Sequence, residues 1–326
     1  MNNAGKVVYN FAALFCSLDD ATVQNLVLDE SCSFTGNWAA ALAVRINNTV
    51  TVRNVTSRAT VVADNYAGGL VATASKCNGA KFVFEDCTNA GSVTADDAPA
   101  AGLLGNVTVH EASTASTSIS VVNCANTGNV TSKTDAACGF VCARAQDLLE
   151  LTVTNSINKG NISGKTAFGI AGLAKVKEAS NIVSMGFVDG TEDTNSFWSA
   201  AHVVTSTFVL ESTCQNCGGA EIFAQNPDDK LFYVTGTGSD RLNKRLNEVV
   251  AEKGFTMLWS ETLDLVKSLP GSSSSVPSSS PSNIPSSMSN ESNESSTSSD
   301  SNNDSIGARL NVVAPLVLFS ILIFAF

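Results

Sequence analysis

The chain has 326 residues, room for one large or two medium domains, and 44% of them are apolar, enough to build a core. Charged residues make up only 15% and the formal net charge is −11, which argues against nucleic acid or an anionic lipid surface as the main partner, since both are met by Lys/Arg-rich faces. Two histidines, His110 and His202, leave little scope for histidine-based metal or triad chemistry.

At the start, residues 1–6 followed by residues 7–18 (VVYNFAALFCSL) make a poor secretory signal. Asn10 and Cys16 interrupt the apolar run, and Asp19-Asp20 follow it at once. Residues 13–16 fit an internal repeat instead, so the entry signal is expected upstream of this start. The rival expectation is a tail-anchored protein facing the cytosol.

The repeat dominates residues 10–205. FEDCTNAGSVTADDAPAAGLLG (84–105) aligns without a gap on VVNCANTGNVTSKTDAACGFVC (121–142). Cys87 falls on Cys124, Asn89 on Asn126, Gly91 on Gly128, Val93 on Val130 and Gly102 on Gly139. Residues 153–172 are a third copy, with Asn158, Gly160 and Ile162 in the same places, and residues 52–72 a diverged fourth. A closing element of small-apolar-apolar-small type recurs at Ala13, Ala41, Gly69, Gly102, Gly139 and Gly169, and in decayed form at Ala201.

Segments such as Ile119-Ser-Val-Val-Asn-Cys alternate apolar and polar residues, as half-buried strands do. Asn-x-Gly-x-Val supplies a turn and re-entry into a strand. Gly-Leu-Leu-Gly reads as a buried strand in close backbone approach. Units of about 30 residues without crossover helices cannot bury a face alone, but stacked coils can. The prediction is an all-β fold, a parallel β-solenoid with Val93/Val130/Ile162 and Leu103/Phe140/Ile170 stacked inward. A β-sandwich would share the composition without requiring a fixed repeat.

The Asn-x-Gly-x-Val and Gly-Leu-x-Gly elements resemble the GLUG-type repeats of bacterial and unicellular-eukaryote surface proteins. Ala13 and Ala41 replace the first glycine, and Ala72 and Cys142 the last. The resemblance implies an extracellular repeat surface, adhesive or antigenic. It carries no catalytic residues to transfer.

Hydrolase, zincin, P-loop and dinucleotide motifs are absent from the sequence. Asp64 and Asp96 align between copies with Asp97 adjacent, but the other copies place Lys133 and Lys165 there, as a solvated turn would. The enzyme alternative is a carbohydrate-active β-helix. No cofactor and no metal site is expected.

Residues 206–269 do not repeat and are read as a small α+β cap. Ser239 would N-cap a helix over 240–252 with Leu242, Leu246, Val249 and Val250 on one face and Gly254 as its stop. Cys214 and Cys217 form a lone CxxC, read as a local disulfide or two inert thiols. Nine cysteines leave at least one unpaired.

Residues 270–309 form a Ser-rich stalk, with 18 serines among the 34 residues of 272–305. It lacks the apolar surface to offset its chain entropy and is expected to be disordered. Residues 310–326 (LNVVAPLVLFSILIFAF) would make a helix of about 25 Å, short for a hydrocarbon core of about 30 Å. A small-residue site, a polar spacer and an apolar tail form the pattern of a glycosylphosphatidylinositol (GPI) signal, with Ser301, Asn302 and Asn303 as attachment candidates. An uncleaved single-pass helix is the alternative. N-glycosylation sequons stand at Asn47, Asn54, Asn106, Asn129, Asn161, Asn290, Asn293 and Asn303, close to the number chance supplies at this Asn/Ser/Thr content.

Taken together, these features predict a non-catalytic cell-surface glycoprotein, lipid-anchored in the outer leaflet of the plasma membrane. Adhesion, ligand binding or an antigenic coat would be its role, with glycans or surface proteins of another cell as partners.

Overall fold

A computed structural model describes residues 10–75, 77–109, 113–143, 148–172, 175–195, 204–210, 221–225, 232–234 and 242–267. The chain winds as a parallel β-solenoid. One coil runs through strands Thr60–Ala63, Ala67–Gly68, Val71–Ala74, Lys81–Glu85 and Thr88–Asn89 before Val93–Ala95 begins the next. Equivalent strands of successive coils pair in parallel and build two long sheets.

The predicted inward ladder is present and longer than expected. Phe34, Val61, Val93, Val130, Ile162 and Val188 sit in register on six coils. From Val61 onward each is fully buried, and burying such a side chain contributes about 1.5–3 kcal/mol. Leu42, Leu70, Leu103, Phe140 and Ile170 form the second ladder, each N–H bonding to the carbonyl of the next member at 2.7–3.2 Å.

Gly-Leu-x-Gly is not a straight strand. It is the corner where the chain leaves one sheet (Ala100–Ala101) for the other (Leu104–Val107). Inside that corner lies a stack of asparagines. Asn89, Asn126 and Asn158 register with one another. Asn89 Nδ2 donates to Asn126 Oδ1 at 2.9 Å, and Asn126 Nδ2 to Asn158 Oδ1 at 2.8 Å. Each Nδ2 also donates to the carbonyl of the glycine two residues on. The corner glycine makes room for both the next coil and the stack: a Cβ on Gly69 would lie 2.0 Å from Gly102 O and 2.5 Å from Asn89 Cγ, and one on Gly102 2.1 Å from Gly139 O and 2.7 Å from Asn126 Cγ. The two halves of the repeat motif are thus one packing unit. Where the asparagine is Ser57, the corner residue is Ala41.

A second polar stack sits three residues earlier in each coil. Asn25, Asn54, Asp86, Asn123, Asn155 and Asn181 all have φ between 44° and 58°, a left-handed turn that Asn and Asp tolerate best among residues with a Cβ. Asn54 bonds to Asn25, Asn123 to Asp86, Asn155 to Asn123 and Asn181 to Asn155, at 2.7–2.9 Å.

The C-terminal unit has the expected α+β make-up, with α1 at Leu242–Lys253 and a hairpin of Leu258–Trp259 and Leu265–Val266. Gly254, with φ 72°, ends the helix, and its N–H and that of Phe255 bond to Val250 O. Leu242, Leu246 and Val250 are buried as expected, while Val249 is half-buried.

Its placement differs from that of a lid over the last coil. Leu242, Leu246, Val250, Trp259 and Leu263 pack on Ile157 and Val183, with Ala125 alongside. These three stand in register on successive coils. They adjoin the inward Asn126, Asn158 and Ser184, so alternation turns them outward. The unit is therefore a strap across the flank. Asn123 donates to Thr256 Oγ1, Asn155 to Met257 O and Asn181 to Leu246 O, while Trp259 Nε1 donates to Asn155 Oδ1 at 2.6 Å. Lys159 pairs with Asp264 and donates to Thr262 O.

Nor does the solenoid sheet stop at residue 205. Val204–Leu210 pairs in parallel with Lys175–Ser184, and Glu221–Gln225 with Val204–Leu210, before Phe232–Val234 turns antiparallel. Coils keep stacking after the motif has faded because backbone pairing needs no particular side chain. His110, His202, Ser239, Cys214, Cys217, the Ser-rich stretch and the apolar tail, with Asn290, Asn293, Ser301, Asn302 and Asn303, lie outside the described residues. Among the described residues no helix is long and apolar enough to cross a membrane.

Candidate ligand-binding face

Three coils at the N-terminal end carry a feature the repeat alignment did not single out. Each enters the first-sheet strand before the corner with an Asn-aromatic dipeptide: Asn10-Phe11, Asn37-Trp38 and Asn65-Tyr66. Phe11 registers with Trp38, and Ala39 N–H bonds to Tyr66 O, which places Tyr66 next in the stack. The asparagines stack too, Asn37 N–H bonding to Asn10 O and Asn65 N–H to Asn37 O. Neighbouring Ala39 and Ala67 point into the core, so strand alternation sends the rings outward. Ring centroids are 5.3 Å apart in both pairs, tilted for Phe11–Trp38 and edge-on for Trp38–Tyr66. On the fourth coil Pro99 takes the ring's place, its carbonyl accepting from Ala67 N–H. The repeat of Asn-aromatic pairs 27 and 28 residues apart was the signal available in the sequence.

Arg45 lies across the corner, its Cζ 5.4 Å from the Trp38 ring centroid, a cation–π contact. Arg45 Nε and Asn37 Oδ1 are both shielded and have no hydrogen-bond partner. An unpaired shielded polar atom costs about 1–3 kcal/mol. Phe11 is exposed, and Trp38, Tyr66 and Arg45 are half-buried.

The sequons separate by environment. Asn129 and Asn161 are exposed on outer turns. Asn47 and Asn106 are buried, Asn47 between the Ser17 and Ser75 hydroxyls and Asn106 donating to Thr108 Oγ1. Asn54 Nδ2 is engaged in the left-handed stack. In the folded chain a glycan therefore has room at Asn129 and Asn161 and not at Asn47, Asn54 or Asn106. The Asn47 and Asn54 amides bridge coils and that of Asn106 bonds within its own coil, whereas Asn129 and Asn161 bond to the next coil through Oδ1 alone.

Asp64 and Asp97 are exposed, and Asp96 pairs with Lys133 at 2.7 Å. That bond raises the lysine's pKa. Among the described residues no group of three or more His, Cys, Asp or Glu side chains could hold a metal ion.

Cys87 and Cys124 stack as free buried thiols. Burial first, then the Cys87 thiol, pushes Cys124 well above the ordinary value, and burial pushes Cys77 up to about 12. Cys138 and Cys142 form a disulfide across the corner. They register with Phe168 and Gly172 of the next coil, where the Phe168 ring fills the space a Cβ on Gly172 would need. No spacing rule pointed to that pair.

No family model and no curated protein matches the chain. A solved structure described as "a putative immunoglobulin A1 protease from Bacteroides ovatus" matches with a TM-score of 0.35 and 11% identity, over 77% of this chain and 74% of that one.

Proposed function

We propose that this chain is a non-catalytic, surface-displayed binding protein whose N-terminal coils present the ligand-binding face and whose C-terminal region tethers it to a membrane. The observation that carries the reading is the Asn-aromatic stack on three successive coils, with Arg45 over Trp38. Aromatic rings beside amides and a guanidinium are what binding surfaces favour. The Ser-rich stretch and the terminal apolar run support a stalk and a GPI signal at Ser301, Asn302 or Asn303. The Cys138–Cys142 disulfide is compatible with an oxidising compartment. The likeness to GLUG-type surface repeats points the same way.

Treating intact cells that produce the full chain with phosphatidylinositol-specific phospholipase C tests the tether. Release into the medium supports it, and retention with Phe326 still detectable by mass spectrometry contradicts it. The released protein is then applied to neighbouring or host cells. Adhesion that weakens in a Trp38→Ala variant supports the assigned face, and undiminished adhesion places binding elsewhere.

A further inference from the structure

We infer that the Asn-aromatic stack is a binding platform for a neutral, extended glycan, whose sugar rings lie along the solenoid axis one per coil. The inference rests on the binding role proposed above and names its ligand class. Three observations lead to it.

The first is geometry. Phe11, Trp38 and Tyr66 repeat at the coil rise, with centroids 5.3 Å apart. That spacing is close to the rise of one sugar ring in a β-1,4-linked chain. The rings are inclined to one another by 48° and 68°, so a linear glycan placing successive sugars on successive coils meets aromatic faces and edges in turn.

The second is polar chemistry. Each ring is preceded by an asparagine, able to donate to and accept from hydroxyls. The Arg45 guanidinium over Trp38 adds N–H donors for sugar hydroxyls.

The third is charge. Asp64 is exposed two residues before Tyr66, and the chain carries a net −11. A polyanion is repelled by this field, while hydroxyls donate to a carboxylate. The platform ends at Ala98-Pro99, so it accommodates three rings.

The test is titration of the full chain with β-1,4-linked glucose and N-acetylglucosamine oligomers of one to six units, and with a polyuronate of matched length. Affinity should rise with each unit up to three and then level off. Trp38→Ala and Asn37→Ala should each weaken binding roughly tenfold, with far-UV circular dichroism unchanged. If Trp38→Ala fails to fold, Tyr66→Leu should shorten the useful length to two. Affinity without length dependence, or unaltered by Trp38, Tyr66 and Asn37 changes, overturns the inference. Preference for the polyuronate overturns the ligand class but leaves a binding face at Trp38. Failure to bind any oligomer while Trp38-dependent adhesion persists also overturns the glycan assignment alone. Loss of adhesion dependence on Trp38 overturns the binding role beneath it.

Discussion

The outward ladder Val27, Thr56, Thr88, Ala125, Ile157 and Val183 runs along six successive coils of the solenoid, one residue per coil. Its two halves have different surroundings. On the first coils Val27 is 59% exposed and Thr56 and Thr88 are half-buried. On the later coils Ile157 and Val183 are 1% and 0% exposed, because the strap of residues 242–267 lies on them. The left-handed asparagines divide the same way. Asn25 and Asn54 bond only along the ladder, while Asn123, Asn155 and Asn181 also bond the strap. One coil design thus serves two ends. The later flank is built to hold the chain's own C-terminal segment, and the early coils keep an aromatic stack at the surface.

The sharpest way to break that contrast is Trp259→Ala. It empties the centre of the strap core and removes the bond to Asn155, at a cost of about 3–5 kcal/mol. We expect the strap to detach before the coils unfold, seen as fast hydrogen exchange over residues 242–267 while the inward ladders stay protected. A single cooperative loss of both would show that strap and coils are one folding unit.

Gly128→Ala strikes the stacking shared by both halves. Its Cβ would lie 1.9 Å from Gly91 O, and forcing neighbouring coils apart should cost about 1–3 kcal/mol. Denaturant melting should show a lower midpoint, with the N-terminal coils losing protection together with the later ones.

The inner asparagine stack stops short of the first coils, and that boundary can be moved. Asn89 Oδ1 is buried without a donor, opposite Ser57. Ser57→Asn alone should destabilise, because Ala41 occupies the space that glycine leaves in the other corners. Ala41→Gly/Ser57→Asn should recover the loss and add a hydrogen bond worth about 1 kcal/mol. A double-mutant cycle with coupling near zero would show that corner and stack are independent.

The smallest expected effect is at acid pH. Burial pushes Asp264 up, but the bonds from Lys159 and Thr262 outweigh it and hold the carboxyl below its ordinary 3.8. A depressed folded pKa means that the stabilisation is present above about pH 4 and lost as pH falls through the lower folded value. The pair is exposed enough for solvent to screen it. Exchange in residues 258–266 should therefore quicken modestly below pH 4 in the wild type. Asp264→Asn should show the faster rate already at neutral pH.

The inward ladders were legible in the sequence because the interior forces one apolar residue per coil at a fixed place, as at Val93, Val130 and Ile162. The corner was harder to read. Gly102-Leu103-Leu104-Gly105 has a strand's composition, and only the packing of Gly139 O and Asn126 against Gly102 shows why glycine is needed there. The left-handed residues Asn54, Asp86, Asn123, Asn155 and Asn181 stand three residues before Ser57, Asn89, Asn126, Asn158 and Ser184, a regularity in plain view once the inner stack is known. The strap's position was not legible at all, since Trp259 meets Asn155 across 104 residues and no local pattern records such a contact. The Asn-aromatic stack fell in the diverged coils, where the repeat alignment carries least weight.

Hydrogen–deuterium exchange of the full chain, with and without a β-1,4-linked trisaccharide, tests most directly the claim that the early coils hold the binding face. The account predicts slowed exchange at residues 10–12, 37–45 and 65–68, with residues 123–126, 155–158 and 242–267 unchanged. Protection centred on the strap and its flank, with the aromatic stack unaffected, would contradict it.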